Sequence, residues 1–94
     1  MDLKDFFNRK TLFASRVIGE DLILVPVKSN VADMNEIFTL NEVGRFIWDC
    51  IDGVNTLDDI VNLVISVFDV ERDMAIIDVS DFLNRLHGIM EKVK

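Results

Sequence analysis

Ninety-four residues, half of them hydrophobic and carrying a formal net charge of −7, describe one domain with a modest core. That composition excludes a disordered chain, and a single Cys excludes an intrachain disulfide or a thiolate cage for zinc. No apolar run approaches the length of a membrane span, and Met1-Asp2-Leu3-Lys4-Asp5 lacks the basic-then-apolar order of a signal peptide, so a cytoplasmic setting is expected.

Residues 1–10 mix Phe6 and Phe7 with charges, and either a flexible arm or a short helical turn fits them. Leu12 to Ile18 is rich in β-branched and aromatic residues and predicts a strand. Gly19-Glu20-Asp21 supplies a turn, and Leu22-Ile23-Leu24-Val25 a second strand, so the two form a hairpin. Pro26 cannot donate to a ladder, which predicts a sheet edge or a bulge there. Lys28 to Met34 is expected to be a loop, and Glu36 to Leu40 a short third strand.

Three helices are predicted next. Asn41 is a good N-cap and Glu42 places negative charge at the positive helix end. Val43, Phe46, Ile47, Cys50 and Ile51 then mark one apolar face, with the helix running to about Asp52. Gly53 is the expected left-handed terminator. Thr56 with Asp59 three residues on forms an approximate capping box for the second helix. Its stripe is Leu57, Ile60, Val61, Val64, Ile65 and Phe68. The third helix is expected from near Asp73 towards Glu91. Ile76, Val79, Leu83, Leu86 and Met90 form its central stripe, widened by Ala75, Phe82 and Ile89. A small antiparallel sheet ahead of a helix-turn-helix-like pair predicts an α+β, winged-helix-like fold in the order β-β-β-α-α-α, as a single domain over 1–94.

Candidate chemistry is sparse. Cys50 falls on an apolar stripe and His87 just off one, so both are expected to be structural or surface residues rather than catalytic ones. No metal-ligand spacing and no phosphate loop is present, and no enzyme is expected. Trp48 lies off the main stripe of its helix, and packing inside the fold is preferred over a partner-facing role. Residues 1–18 carry +2, leaving −9 for the rest, which disfavours DNA binding although winged helices often bind it. From the residues alone, the open edge of a three-stranded sheet can take up a peptide as an added strand. It can equally be covered by the N-terminal arm or pair in a homodimer.

The order Leu40-Asn41-Glu42, Ile47-Trp48, Asp52-Gly53 resembles the PqqD family, the peptide-binding proteins of coenzyme PQQ biosynthesis. The same domain serves as the recognition element of many pathways that make modified ribosomal peptides. Thr56-Leu57-Asp58-Asp59-Ile60-Val61 is similar to the start of the family's second helix, and Phe68-Asp69-Val70 to its following turn. Asp78-Val79, Phe82-Leu83, Leu86 and Gly88-Ile89-Met90 are similar to its last helix. Val43 departs from the small or polar residue common there, and residues 1–35 match no particular subgroup.

The resemblance implies a non-catalytic domain that takes up the leader of a precursor peptide and presents it to a modifying enzyme. That enzyme is often a radical S-adenosylmethionine maturase, and sometimes a leader peptidase. It also implies a groove between the third strand and the last helix. On this chain the groove residues are then Glu36, Ile37, Phe38, Thr39 and Leu40 with Asp78, Phe82, Arg85 and Ile89. Phe82 and Ile89 would offer apolar pockets, while Asp78 and Arg85 would orient polar leader side chains. Plain core packing is an equal reading for Phe82, and the opposite helix border, Ser80 and His87, is the alternative wall. The competing function is a winged-helix regulator acting on DNA or protein.

Overall fold

The computed structural model describes residues 2–27 and 37–92. The described residues form α1 (Leu3–Arg9), a 3-10 turn (Lys10–Leu12), β1 (Phe13–Ile18), β2 (Asp21–Pro26), β3 (Phe38–Leu40), α2 (Glu42–Cys50), α3 (Leu57–Phe68) and α4 (Arg72–Lys92). The α+β class and the antiparallel sheet followed by three helices are as expected. The additional helix is α1, where an undecided arm was expected. Glu36 and the Lys28–Met34 loop lie outside the described residues.

The sheet has the order β1-β2-β3. Gly19, at φ +61°, opens the two-residue turn that pairs Ile18 with Asp21. A glycine at the first turn position suits the right-handed twist of the hairpin. Between β2 and β3, Leu22 faces Leu40 and Leu24 faces Phe38. Strand alternation then puts Phe13, Leu22, Leu24, Phe38 and Leu40 on one face, and this face meets the helices. The other face carries Ile23, Val25, Ile37 and Thr39, with Val25, Ile37 and Thr39 exposed.

Pro26 ends β2, the central strand of the described sheet. Val27 N–H donates to Leu12 C=O at 2.8 Å, so Val27 faces β1 and Pro26 faces the β3 side. The described part of β3 stops at Phe38, opposite Leu24. The missing donor of Pro26 therefore costs no bond of the described ladder.

Local chemistry sets the helix ends. Asn41 Oδ1 accepts from Gly44 N–H at 2.9 Å, capping α2. Thr56 and Asp59 form a full capping box on α3, with bonds of 3.1 and 2.9 Å. Asp69 ends α3 in the left-handed region at φ 53°. α2 stops at Cys50, within about two residues of the expected end, with Gly53 beyond it at φ +85°. Side chains take over the exposed carbonyls there. Lys10 Nζ donates to Trp48 C=O at 2.9 Å and Ile51 C=O at 3.0 Å, while Asn55 Nδ2 donates to Cys50 C=O at 3.0 Å. A cation at a helix C-terminus also meets the negative end of the dipole.

Gly53 has two reasons to stay glycine. Its φ is one that L side chains rarely adopt, and a Cβ there would meet the Phe7 ring at 3.0 Å. Gly53→Ala is expected to cost about 1–2 kcal/mol, read as a lowered urea midpoint. An unchanged midpoint would show that the turn relaxes freely.

The next turn is electrostatic. Asp52 Oδ1 accepts from Val54 N–H at 2.9 Å and Asn55 N–H at 2.8 Å. These bonds, Asn55 first, hold the Asp52 carboxyl below the usual carboxylate range. A lowered folded-state pKa gives stability that is present above the unfolded value and lost as pH falls through the folded one. The advantage of the wild type over Asp52→Asn is therefore expected to be full above about pH 4 and to shrink below it. Urea midpoints at neutral and strongly acid pH measure this; a constant gap would mean that the carboxylate charge contributes nothing.

The core joins the sheet face to all four helices. Leu24, Ile47, Ile60, Val79, Leu83 and Leu86 are almost fully buried. Each such side chain contributes about 1.5–3 kcal/mol by leaving water. The stripe of α4 needs one correction. Ala75 is buried and Ile76 is 44% exposed, so the stripe enters α4 through Ala75. Both positions are compatible with a stripe through Val79, three or four residues on, and periodicity alone does not choose between them.

Candidate functional site

β3 lies at one edge of the sheet, and its backbone groups divide by parity. Since Val27 faces β1, residues 22 and 24 face β3 and receive Leu40 and Phe38. Phe38 and Leu40 therefore spend their N–H and C=O groups on β2. Ile37 and Thr39 direct theirs away from the sheet. The side chains split in the same way: Leu40 is buried and Phe38 packs against the core, whereas Ile37 is 58% exposed.

Next to this edge, a hollow of about 300 Å³ is lined by Asn41, Val43, Gly44 and Ile47 from the start of α2, and by Asp78, Asp81, Phe82 and Arg85 from α4. Val43, Ile47 and Phe82 supply apolar lining, and the two aspartates and Arg85 supply charge. Arg85 ties the hollow to the strand: its Nη2 donates to Thr39 C=O at 3.3 Å. Gly44 belongs here because α4 comes close. A Cβ at that position would lie 3.1 Å from the Phe82 ring.

The structure thus brings Asp78, Phe82 and Arg85 together beside Thr39. Ile89 does not line this hollow; it is buried in the core. Ser80 and His87 do not line it either, and His87 is exposed beside Glu91 at 3.7 Å. Phe82 packs in the core at 8% exposure and also forms part of the lining of the hollow. Asn41, Val43, Gly44, Ile47 and Asp81 were missed as site residues. The available signal was Gly44, an isolated glycine inside a helical pattern, which marks close backbone approach.

The other chemically notable side chains are structural. Burial pushes the Cys50 thiol up, with Asp49 and Asp52 adding to the effect, so the reactive thiolate is disfavoured. Trp48 is buried, with Phe13 edge-to-face at 6.0 Å and Lys10 Nζ 4.9 Å from its ring centroid. It is not a partner-facing anchor. Among the described residues no group of three or more His, Cys, Asp or Glu side chains is placed to hold a metal ion. No described helix is long and apolar enough to cross a membrane.

The arrangement can accept a strand at Ile37 and Thr39 while a side chain of that strand enters the hollow. Residues 21–89 match the family of coenzyme PQQ synthesis protein D, PqqD, and span β2 through most of α4. The chain belongs to the PqqD family. Both walls of the hollow and the β3 edge fall inside the matched region, whereas α1 and β1 precede it. Among solved structures, TbiB1 in complex with the TbiA(beta) leader peptide shares the fold, with a TM-score of 0.67 at 23% identity over 82% of this chain and 84% of TbiB1. No curated protein sequence matches the chain significantly.

Proposed function

We propose that this PqqD-family chain is a non-catalytic leader-peptide binding domain. It captures the leader of a precursor peptide by strand addition at β3. The observation that carries this reading is the outward backbone of Ile37 and Thr39 beside the Phe82 hollow. TbiB1, which has the same fold, was solved with a leader peptide and supports the assignment.

Main-chain bonds at Ile37 and Thr39 give sequence-independent affinity, and the hollow gives selectivity for an apolar leader side chain. Asp78 and Asp81 orient neighbouring polar groups of the leader. Phe38 and Leu40 hold β3 in place from behind. The domain then acts by tethering. Holding the leader raises the effective concentration of the attached core peptide at a modifying enzyme, for which a radical S-adenosylmethionine maturase is the proposed partner. The iron–sulfur chemistry would belong to that partner. No nucleic-acid role is assigned: the α4 face at the hollow sets Asp78 and Asp81 against the single cation Arg85.

The test is an amide NMR titration of the labelled chain with the synthetic N-terminal segment of a candidate precursor peptide, chosen among short open reading frames near its gene. Shifts concentrated at Ile37–Leu40 and along Asp78–Arg85 are expected. A folded chain whose spectrum stays still would reject capture of that leader. Shifts confined to the β1 edge would move the site to the other side of the sheet.

A further inference from the structure

Arg85 crosses from α4 to the open edge of β3. Its target, Thr39 C=O, points outward by strand parity and is one of the acceptors that an added strand needs. The guanidinium had a choice nearer in sequence. Asp81 stands one turn back on the same helix, at the i, i+4 spacing that commonly pairs, and lines the same hollow. Even so, among the described residues no carboxylate lies within ion-pair range of Arg85. Arg85 serves the strand instead.

We propose that Arg85 is a displaceable cap on the binding edge: in the free protein it occupies Thr39 C=O, and an incoming leader strand must dislodge it to complete its ladder. The proposal rests on the leader-capture reading and adds a competition to it. An open sheet edge pairs with any extended chain, and a cationic side chain laid over it is one way that proteins limit such pairing. The cap turns a generic edge into a selective one. A peptide that offers main-chain groups alone must compete with a charged donor. A peptide that also places an apolar side chain against Phe82, Val43 and Ile47 gains enough to displace it. The 3.3 Å length and the exposed position keep the bond weak enough to release. Removing it is expected to improve leader affinity about threefold to tenfold, the worth of one such hydrogen bond.

Arg85→Met keeps the aliphatic stem and removes every donor. The labelled full chain and this variant are titrated with the same synthetic precursor segment, and their free spectra are compared. In the free state, the substitution is expected to shift the Leu40 amide nitrogen, which is bonded directly to the Thr39 carbonyl carbon. On titration, the variant is expected to bind about threefold to tenfold more tightly. Weaker binding would overturn the cap and make Arg85 a direct leader contact, and unchanged binding would overturn it too. If the wild-type chain binds no segment, leader capture fails, and the free-state comparison judges the cap alone. A shifted Leu40 nitrogen then upholds Arg85 as a guard of the edge, and an unmoved one rejects it.

Discussion

Proline at position 37 is expected to weaken leader binding about tenfold and leave the domain folded, whereas proline at position 38 is expected to disrupt the domain itself. The contrast comes from parity. Ile37 directs its N–H away from the sheet, so Ile37→Pro removes a donor that no described strand uses. The exposed side chain of Ile37 leaves no cavity when it is lost. Phe38 directs its N–H at Leu24, and its ring packs edge-to-face on Phe13 at 6.4 Å. Phe38→Pro loses both and is expected to cost about 3 kcal/mol. Calorimetric titration with the precursor segment, beside urea unfolding of both variants, reads the two effects separately. Full affinity in a folded Ile37→Pro variant would mean that the leader does not pair with this edge. A stable Phe38→Pro variant would mean that the register between β2 and β3 is wrong.

Parity also explains which parts of the site could be read from the sequence. The hairpin, the Asn41 cap and the Thr56–Asp59 box are local, so their residue types specify them within a few positions. The alternation of Ile37 and Thr39 against Phe38 and Leu40 is likewise a local property of an extended strand. Whether their N–H groups faced β2 or solvent was not, because this depends on pairing with β1 and β2. On α4, helical spacing puts Asp78, Phe82 and Arg85 on one border, and it was the family resemblance that made this border a wall of the groove. The α2 wall does not, because Val43, Gly44 and Ile47 reach the hollow through the approach of two helices distant in sequence. Ile76 was misplaced because Ala75 and Ile76 both suit a stripe through Val79. Hydrophobicity favours the isoleucine, but the buried position went to the smaller residue. Arg85 was legible as a groove residue and not as a partner of the strand, since its acceptor is a backbone carbonyl 46 residues away.

The N-terminal helix is the part of the fold for which long-range contacts decide everything, and Phe6→Ala is expected to destabilise the domain by about 3 kcal/mol. Seven residues are too few for a helix to be stable alone, so α1 persists through what it packs against. Phe6 is 4% exposed and lies edge-to-face with His87 at 6.2 Å. Arg9 reaches Glu91 at 3.6 Å, and Lys10 closes the carbonyl end of α2. Burial lowers the Lys10 pKa, while Asp49 and Asp52 favour its charge. The ammonium therefore gives up part of its hydration to hold those carbonyls. Together these contacts tie the end of α4 to the end of α2 through residues that do not line the Phe82 hollow. The substitution should accordingly lower the thermal midpoint by about 15 °C while the folded fraction still binds the precursor segment normally. A loss below about 0.5 kcal/mol in urea unfolding would make α1 a loosely attached arm. A loss of affinity in the folded state would instead show that α1 supports the groove through α4. The expected pairing, large for stability and near zero for binding, follows because His87, Glu91, Trp48 and Ile51, the partners of Phe6, Arg9 and Lys10, do not line the Phe82 hollow.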